Sequence, residues 1–306
     1  MRVLVVRLSA MGDVVQGLAM LRALRAALPA DEIAWVVQRP FASLLEDLGL
    51  AAVFAHDRRA GPLGYLRTAR ALRAWRPDVA LDLQGNWKSA GLAWASGARR
   101  RLGSPHTQRR EARSAWLATE AVSADSPHPD DVATALARVL VPGLAVSHAP
   151  VLCARDDECA REAAALRALG IAPDRPFRVL VLADPRDPRA LPEDELTAAA
   201  RSSRDPVLAL AGPDDAAGLA PAAVHVVRHA RGELRRLIAL GTLGRRAGAT
   251  ALGPDKGAAH VLAACGLSTT IVHRTTDPAR TGSRHAHELR VAQSSSAAIS
   301  RSSMRP

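Results

Sequence analysis

The stretch VLVVRLSAMGDVVQGLAMLRALRAALP (residues 3–29) decides the class of fold. Its β-branched start predicts a strand, which ends at the turn SAMGD (residues 9–13). From Val14 onward the apolar residues recur at helical spacing until Pro29. Residues 33–37 (IAWVV) predict the next strand. A strand, a glycine-containing turn, a helix and a second strand are typical of a doubly wound α/β domain.

The same alternation recurs along the chain and predicts two Rossmann-like, doubly wound α/β domains facing a central cleft. We expect a first domain over 1–152, a linker and second domain over 153–292, and a disordered Ser-rich tail over 293–306. Further strands are predicted at 78–83, 178–182, 207–211, 224–227, 249–252 and 269–273, and further helices at about 64–75, from Lys88, and at about 130–141 and 156–169.

The composition limits the classes of partner. The 306 residues include 41 Lys and Arg against 30 Asp and Glu, a net charge of +11, which favours a polyanionic partner. Aromatic residues make up only 3%, and single-stranded nucleic acid is bound mainly by aromatic stacking. Because the sequence also lacks a helix-turn-helix, RRM or zinc-finger pattern, we expect no nucleic-acid partner.

Other classes are excluded by what the sequence lacks. Three cysteines without a C-x-x-C pair form no disulfide framework and suit a reducing compartment. No run approaches the roughly 20 apolar residues that cross a bilayer, so we expect a cytoplasmic protein, peripheral to a membrane at most. Metal-ligand spacings and a G-x-S-x-G nucleophile elbow are also missing, which argues against metalloenzymes and serine hydrolases.

Asp13 is the first candidate for chemistry, because the turn after the first strand lies at the ligand-binding edge of a doubly wound sheet. Two interpretations are open. Asp13 suits the N-cap of a helix that starts at Val14, or it is a carboxylate that takes a proton from a substrate.

The second candidate is GPDKGAAH (residues 253–260), in which a glycine at a helix start exposes N–H groups to a phosphate and Lys256 adds positive charge. An ordinary loop capped by Asp255 is the alternative. DPRDPR (residues 184–189) could bind a diphosphate, or it is a solvated loop. An arginine cluster could contact carboxylates and phosphates, or it is a solvated face: Arg99, Arg100, Arg101, Arg109, Arg110 and Arg113.

Taken in order, these motifs resemble the ADP-heptose:lipopolysaccharide heptosyltransferases of glycosyltransferase family 9, in pattern most of all heptosyltransferase I. The opening strand with its Ser-x-x-Gly-Asp turn matches the family's start. The matching blocks that follow cover the chain to about residue 283: DLQGNWKSA (82–90), GSPHTQRREA (103–112), DPRDPRALPEDE (184–195), GPDKGAAHVLAACG (253–266) and RTTDPARTG (274–282).

The resemblance implies the GT-B architecture and an inverting, metal-independent enzyme without a cofactor, which moves heptose from an ADP-heptose donor to a Kdo-containing lipopolysaccharide acceptor. Asp13 matches the family's catalytic base. The residues implied to bind the donor are Arg189, Asp255, Lys256, Gly257 and His260. Those implied to bind the acceptor are Ser9, Gly12, Gln84, Lys88 and Arg110.

The implied partners are an ADP-sugar and an anionic glycolipid of the Kdo-lipid A type. The implied location is the cytoplasmic face of the bacterial inner membrane, with the protein peripheral to it. This chain departs from the family near the donor: Lys256 stands in place of Thr, Leu191 in place of Trp, and His273-Arg274 in place of Tyr/Phe-Gly. An alternative is therefore a non-catalytic or donor-altered relative that binds a nucleotide sugar or an anionic glycolipid.

Overall fold

The computed structural model of the chain describes residues 1–212, 225–228 and 233–290, the strand 225–228 by its backbone only. The chain divides into two compact units, one spanning Met1–His148 and one beginning at Ala149. The boundary expected from the sequence, 152/153, falls a few residues later. The tail predicted over 293–306 lies outside the described residues.

The first unit alternates strands and helices from its first residues. Short 3-10 helices lie at Arg39–Leu45, Arg58–Ala60 and Ala112–Leu117. The other elements are β1 (Arg2–Val6), α1 (Met11–Gln16), α2 (Leu18–Ala27), β2 (Glu32–Gln38), β3 (Ala52–His56), α3 (Gly61–Trp75), β4 (Val79–Asp82), α4 (Trp87–Ala95), β5 (Arg100–Gly103), β6 (Glu120–Ala121) and α5 (Pro129–Arg138).

The second unit repeats the pattern within its described residues. Its elements are α6 (Asp156–Ala168), β7 (Arg178–Val181), α7 (Glu193–Arg201), β8 (Val207–Ala211), β9 (His225–Arg228), α8 (Leu234–Ala247), β10 (Thr250–Pro254), α9 (Gly257–Ala264), β11 (Ser268–His273), α10 (Pro278–Thr281) and β12 (His287–Arg290).

Each unit is built on one parallel sheet. The strand orders among the described residues are β3-β2-β1-β4-β5-β6 and β12-β11-β10-β7-β8-β9, so each sheet reverses its winding beside its first strand. The pairs are parallel throughout; Val3, for example, lies opposite Ile33 on one side and Val79 on the other. This is the doubly wound order, and the predicted fold class is confirmed.

The central strands are apolar because helices cover both faces of each sheet. Val3, Leu4, Val5 and Val6 of β1 are fully buried. Right-handed crossovers place α1 and α2 on one face and α3 and α4 on the other. The helix α5 packs with α1 and α2, whereas the 3-10 helix Ala112–Leu117 packs with α4.

The first helix differs from the prediction. It begins at Met11 rather than at Val14, and Gly17 separates it from α2. A Cβ on Gly17 would lie 2.8 Å from the Trp35 ring of β2, so a larger residue would push this helix off the sheet. The described helices, within residues 1–212 and 233–290, all fall short of the length and apolar composition needed to span a membrane.

A buried carboxylate ties α6 to α8 in the second unit. Glu158 accepts hydrogen bonds from the Arg235 guanidinium at 2.8 and 2.6 Å, and from the N–H of Arg155 at 2.9 Å. The hydrogen bonds from Arg235 lower the pKa of Glu158 from 4.5 to about 2. The charged form is therefore favoured in the folded protein.

We expect Glu158→Gln to lower the free energy of unfolding by about 2 kcal/mol at neutral pH, because charge-assisted hydrogen bonds are lost. A lowered pKa contributes stability above the unfolded value and loses it on acidification, so the deficit should shrink as the pH falls from 4.5 towards about 2. Urea unfolding at pH values from neutral down to about 2 measures the deficit in unfolding free energy. The control is Asp156→Asn, at a fully exposed position of the same helix. A deficit independent of pH would contradict the assigned ion pair.

Candidate functional site

The first switch point lies between β1 and β4, where the loops leaving the carboxyl ends of the two strands turn in opposite directions. Gln84 joins these loops. Its side-chain oxygen accepts hydrogen bonds from the N–H of Leu8 at 2.7 Å and of Ser9 at 3.3 Å. Two residues implied in acceptor binding, Ser9 and Gln84, are therefore in direct contact.

The Asp82 side chain, at the end of β4, stabilises the turn that follows this strand. One carboxylate oxygen accepts the N–H of Gln84 at 3.2 Å and of Gly85 at 3.1 Å. Gly85 has a φ of +67°, a left-handed conformation that glycine adopts without a steric penalty. The other oxygen binds Arg109 at 2.8 Å in a pair whose side chains are 4% and 0% exposed.

Arg109 and Arg110 are neighbours with different surroundings. The Arg109 Nε also donates to the carbonyl of Ser104 at 2.6 Å, and the side chain fills space that a Cβ on Gly103 would occupy. Arg110, implied in acceptor binding, is exposed. The N–H of Glu111 donates to the carbonyl of Gly85 at 3.2 Å, so the loop that carries Arg110 is fixed beside the first switch point.

Arg7 places a buried positive charge at the same edge, a role that its sequence motif did not predict. Its side chain is 9% exposed. One terminal nitrogen donates to the carbonyl of Leu83 at 2.5 Å, and the other pairs with Asp13 at 2.5 Å. One feature of the sequence could have indicated this role: Arg7 is a charged residue that interrupts the apolar run of residues 3–8 (VLVVRL).

Asp13 is the third residue of α1, not the N-cap of a helix starting at Val14. Its Oδ2 accepts the N–H of Ala10 at 3.1 Å as well as the Arg7 contact. No polar contact to Oδ1 occurs within the described residues, and the side chain is 34% exposed. The carboxylate is thus fixed through one oxygen and offers the other to solvent or a ligand.

The remaining residues implied in acceptor binding lie around this centre. Gly12 precedes Asp13 within α1 and is half-buried. Lys88 is the second residue of α4 and is exposed, and its carbonyl accepts the Tyr65 hydroxyl at 3.3 Å. In the described part of the chain, no hydrogen bond or ion pair joins Lys88 or Arg110 to Asp13.

The second switch point lies between β7 and β10 and brings together the residues implied in donor binding. Lys256 is the N-cap residue of α9, and Gly257 is its first residue. The first N–H groups of a helix have no partner within the helix and attract anions. Both residues are partly exposed, so this helix start is open.

Arg189 crosses from the β7 loop to the β10 loop. Its guanidinium binds both carboxylate oxygens of Asp187, at 3.0 and 2.7 Å, and donates to the carbonyl of Asp255 at 3.1 Å. The Arg189 hydrogen bonds lower the pKa of Asp187, and Lys256 contributes further. Three of the five guanidinium hydrogens are used, which leaves two for a ligand.

The Asp255 side chain points into the protein. Its oxygens accept hydrogen bonds from His260 at 2.8 Å and from the Thr281 hydroxyl at 2.8 Å. Burial tends to raise the pKa of Asp255, but these hydrogen bonds outweigh it and hold the pKa well below the ordinary value. The side chains of Asp255 and His260 are 8% and 3% exposed, so their hydrogen bond supports the loop from its buried side. Lys256 and Arg189 lie partly exposed on the outer side of the same loop.

His273 extends this buried network and was singled out in the sequence only as a departure. It lies 2.8 Å from the hydroxyl of Thr276, 2.5 Å from Glu288 and 3.7 Å from Asp255. No motif predicted its partner Glu288, which lies on the edge strand β12. Among the described residues, no cluster of His, Cys, Asp or Glu has the arrangement of a metal site.

A cavity of about 280 Å³ lies beside the β7 loop. Its lining includes the apolar residues Leu182, Pro185, Leu191 and Leu196, together with Arg274. Leu191 is the position where the related pattern carries Trp, so a smaller side chain borders this cavity.

Comparison with solved structures identifies the fold. A family 9 glycosyl transferase from Veillonella parvula aligns with a TM-score of 0.79 and 19% identity, over 96% of this chain and 88% of that one. The E. coli heptosyltransferase WaaC, solved with ADP, aligns with a TM-score of 0.72 and 22% identity, over 95% and 94%. The E. coli ADP-heptose lipopolysaccharide heptosyltransferase II gives 0.70 and 19%, over 96% and 91%. The chain has the heptosyltransferase fold.

Similarity at the level of sequence covers a smaller part of the chain than the similarity of fold. A lipopolysaccharide core heptosyltransferase of Haemophilus influenzae, OpsX, is 26% identical over 113 residues. The match covers 37% of this chain and about a third (32%) of the length of that relative. No family model matches the chain. The resemblance drawn from the sequence motifs and the GT-B fold class are confirmed by these neighbours, which are glycosyltransferases.

The contrast between two adjacent arginines tests the geometry at the first switch point. We expect Arg109→Met to lower the free energy of unfolding by about 3 kcal/mol, because it leaves the Asp82 carboxylate buried without its cation. Arg110→Met at the exposed neighbour should change it by less than about 0.5 kcal/mol. Denaturant unfolding of the two variants measures both values, and equal effects would contradict the assigned burial.

Proposed function

We propose that this protein is a glycosyltransferase that transfers heptose from ADP-heptose to the lipopolysaccharide core, without a metal ion and with inversion at the anomeric carbon. The observation that carries the proposal is the Asp13 carboxylate, fixed through Oδ2 by buried Arg7 at a switch point and open at Oδ1. A fold shared with WaaC, whose structure was solved with ADP, and the local match to OpsX support it.

Asp13 acts as the general base. Its Oδ1 accepts the proton of an acceptor hydroxyl, and the hydroxyl oxygen forms a bond to the anomeric carbon of heptose. The bond from that carbon to the diphosphate oxygen breaks, and its electron pair leaves with ADP. Attack opposite the leaving group inverts the anomeric configuration. Arg7 orients the carboxylate so that the same oxygen always faces the acceptor.

The second switch point stabilises the leaving diphosphate. The open N–H groups at the start of α9, the positive end of its helix dipole and the Lys256 side chain surround one anion position. Arg189 adds its two remaining N–H donors. The buried network of Asp255 and His260 fixes the loop that presents these groups. The cavity beside Leu191, lined mainly by apolar side chains with a few charged groups, suits a nucleobase ring.

The acceptor is anionic in this proposal. Exposed Lys88 and Arg110, at the edge that carries Asp13, match the carboxylates and phosphates of a Kdo-containing glycolipid. We place the reaction at the cytoplasmic face of the inner membrane, where such an acceptor would be presented.

A second candidate is a relative with an altered donor, which Lys256 favours because it adds a charge where the related pattern has Thr. A panel of nucleotide sugars incubated with a Kdo-bearing lipid distinguishes the two by the mass added to the acceptor. Addition of heptose from ADP-heptose supports the proposal. Transfer of another sugar supports the altered donor, and titration showing ADP-heptose binding without any turnover supports a non-catalytic protein.

We expect Asp13→Asn to reduce transfer about a hundredfold to ten-thousandfold, because the amide cannot take the proton. Donor affinity should stay unchanged, since Asp13 belongs to the first unit and the donor groups to the second. Initial rates by mass spectrometry measure the loss, and Asp125→Asn, an exposed position of the first unit, is the control. Near-normal transfer by Asp13→Asn would refute the role of this residue.

A further inference from the structure

One helical layer of the first unit exposes large apolar side chains. It consists of α3, α4 and the 3-10 helix Ala112–Leu117, with α4 packed against both of the others. Three of the five tryptophans of the chain lie exposed on it. We call the following set the tryptophan face, with exposed fractions of 64, 44, 46, 59 and 79%: Leu63, Leu66, Trp87, Trp94 and Trp116.

These side chains share one surface. Trp87 and Trp94 are seven residues apart on α4, which is two helical turns, so they point to the same side. Leu63 and Leu66 are three apart on the first turns of α3. The Tyr65 hydroxyl donates to the carbonyl of Lys88, so the starts of the two helices adjoin. A water-facing surface seldom groups residues of this size, which indicates an interaction site.

The charge of this layer is one-sided. Its three elements carry five basic residues and no acidic one. The opposite layer, α1, α2 and α5, carries three acidic and three basic residues and none of the large exposed apolar side chains found in the described part of the chain. Outside these elements, Glu111 directly precedes the 3-10 helix and accepts the N–H of Trp87 at 2.7 Å. Large apolar groups and an excess of positive charge therefore occur together on one face of the unit.

An arginine-lined pocket of about 630 Å³ opens at the far end of the same layer. Arg70, Arg73, Arg76 and Arg99 border it, where α3 and α4 end. Within the described residues, none of these four guanidinium groups has a carboxylate partner. The one acidic residue in the lining, Asp78, accepts the N–H of Arg2 at 2.7 Å. A pocket of this composition suits phosphate groups.

We propose that this layer docks on the surface of a bilayer containing anionic phospholipids. Tryptophan and leucine side chains of the tryptophan face enter the interfacial region, where indole rings are favoured, and the arginines contact lipid phosphates. Trp87 begins α4 at the sheet edge that carries Gln84 and Asp13, so docking brings this edge to the lipid surface. The inference extends the proposed function, which requires a lipid-linked acceptor, but its test needs no sugar transfer.

Sedimentation of the full chain with vesicles measures docking directly. We expect binding to phosphatidylcholine vesicles that contain phosphatidylglycerol, weak binding to phosphatidylcholine alone, and loss of binding at high salt. Tryptophan emission should shift to shorter wavelength on binding. The double variant Trp94→Gln/Trp116→Gln should bind about tenfold more weakly or worse and lose most of the shift.

Charge reversal separates the basic contribution from the apolar one. Arg70→Glu/Arg73→Glu should abolish the preference for anionic vesicles, whereas Arg201→Glu/Arg204→Glu, the same change at exposed positions of the second unit, should retain it. Circular dichroism and thermal melting establish that each variant is folded. The four arginines changed here are exposed. Transfer to a water-soluble, deacylated acceptor by these charge-reversed variants should therefore remain at the level of the unchanged protein.

Three results would overturn the docking proposal. One is equal vesicle binding by the tryptophan variant and the unchanged protein. Another is a dimer in gel filtration that Trp94→Gln dissociates, since a second copy would then cover the face. The third is saturable binding of inorganic pyrophosphate at the arginine-lined pocket without any vesicle binding. Loss of transfer to the soluble acceptor with vesicle binding intact would count against the proposed function instead.

Discussion

The winding of each sheet is the constraint on which the rest of the structure depends. In the first sheet the crossovers that follow β1 and β4 run in opposite directions, and in the second sheet those that follow β7 and β10 do the same. The loops at the carboxyl ends of each pair of strands therefore separate. Polar groups placed there face a crevice rather than a covering helix. Buried contacts then fix them: Gln84 joins the two loops of the first unit, and Arg189 joins those of the second.

The two switch points carry complementary chemistry. At the first, a carboxylate is fixed by a buried guanidinium through one oxygen, which suits proton removal. At the second, an open helix start, Lys256 and Arg189 concentrate positive charge, which suits a departing diphosphate. The proposed transfer between two sugars needs both functions, and we assign one to each unit. The basic, tryptophan-bearing layer is a third surface, to which we assign the docking on anionic lipid.

Sequence alone predicted the elements that bury apolar runs, such as β1, β2 and β8, because such runs have few alternatives in a doubly wound fold. It missed β5, whose residues read as an arginine cluster; in the structure Arg100 pairs with Glu120, and the side chain of Arg101 binds main-chain carbonyls. The motifs SAMGD (residues 9–13) and GPDKGAAH (residues 253–260) did indicate the positions of the two switch points. The roles of Arg7, Asp82 and His273 were not predicted, since they depend on contacts between residues distant in the chain.

Hydrogen–deuterium exchange of the full chain with and without ADP tests most directly whether the second switch point is the nucleotide diphosphate site. ADP should slow exchange of the amides in 184–190 and 255–260, where Arg189, Lys256 and the start of α9 meet. Exchange in 7–13, which carries the Asp13 carboxylate, should change little. Protection confined to 7–13, or none at the start of α9, would contradict this division of chemistry between the two units.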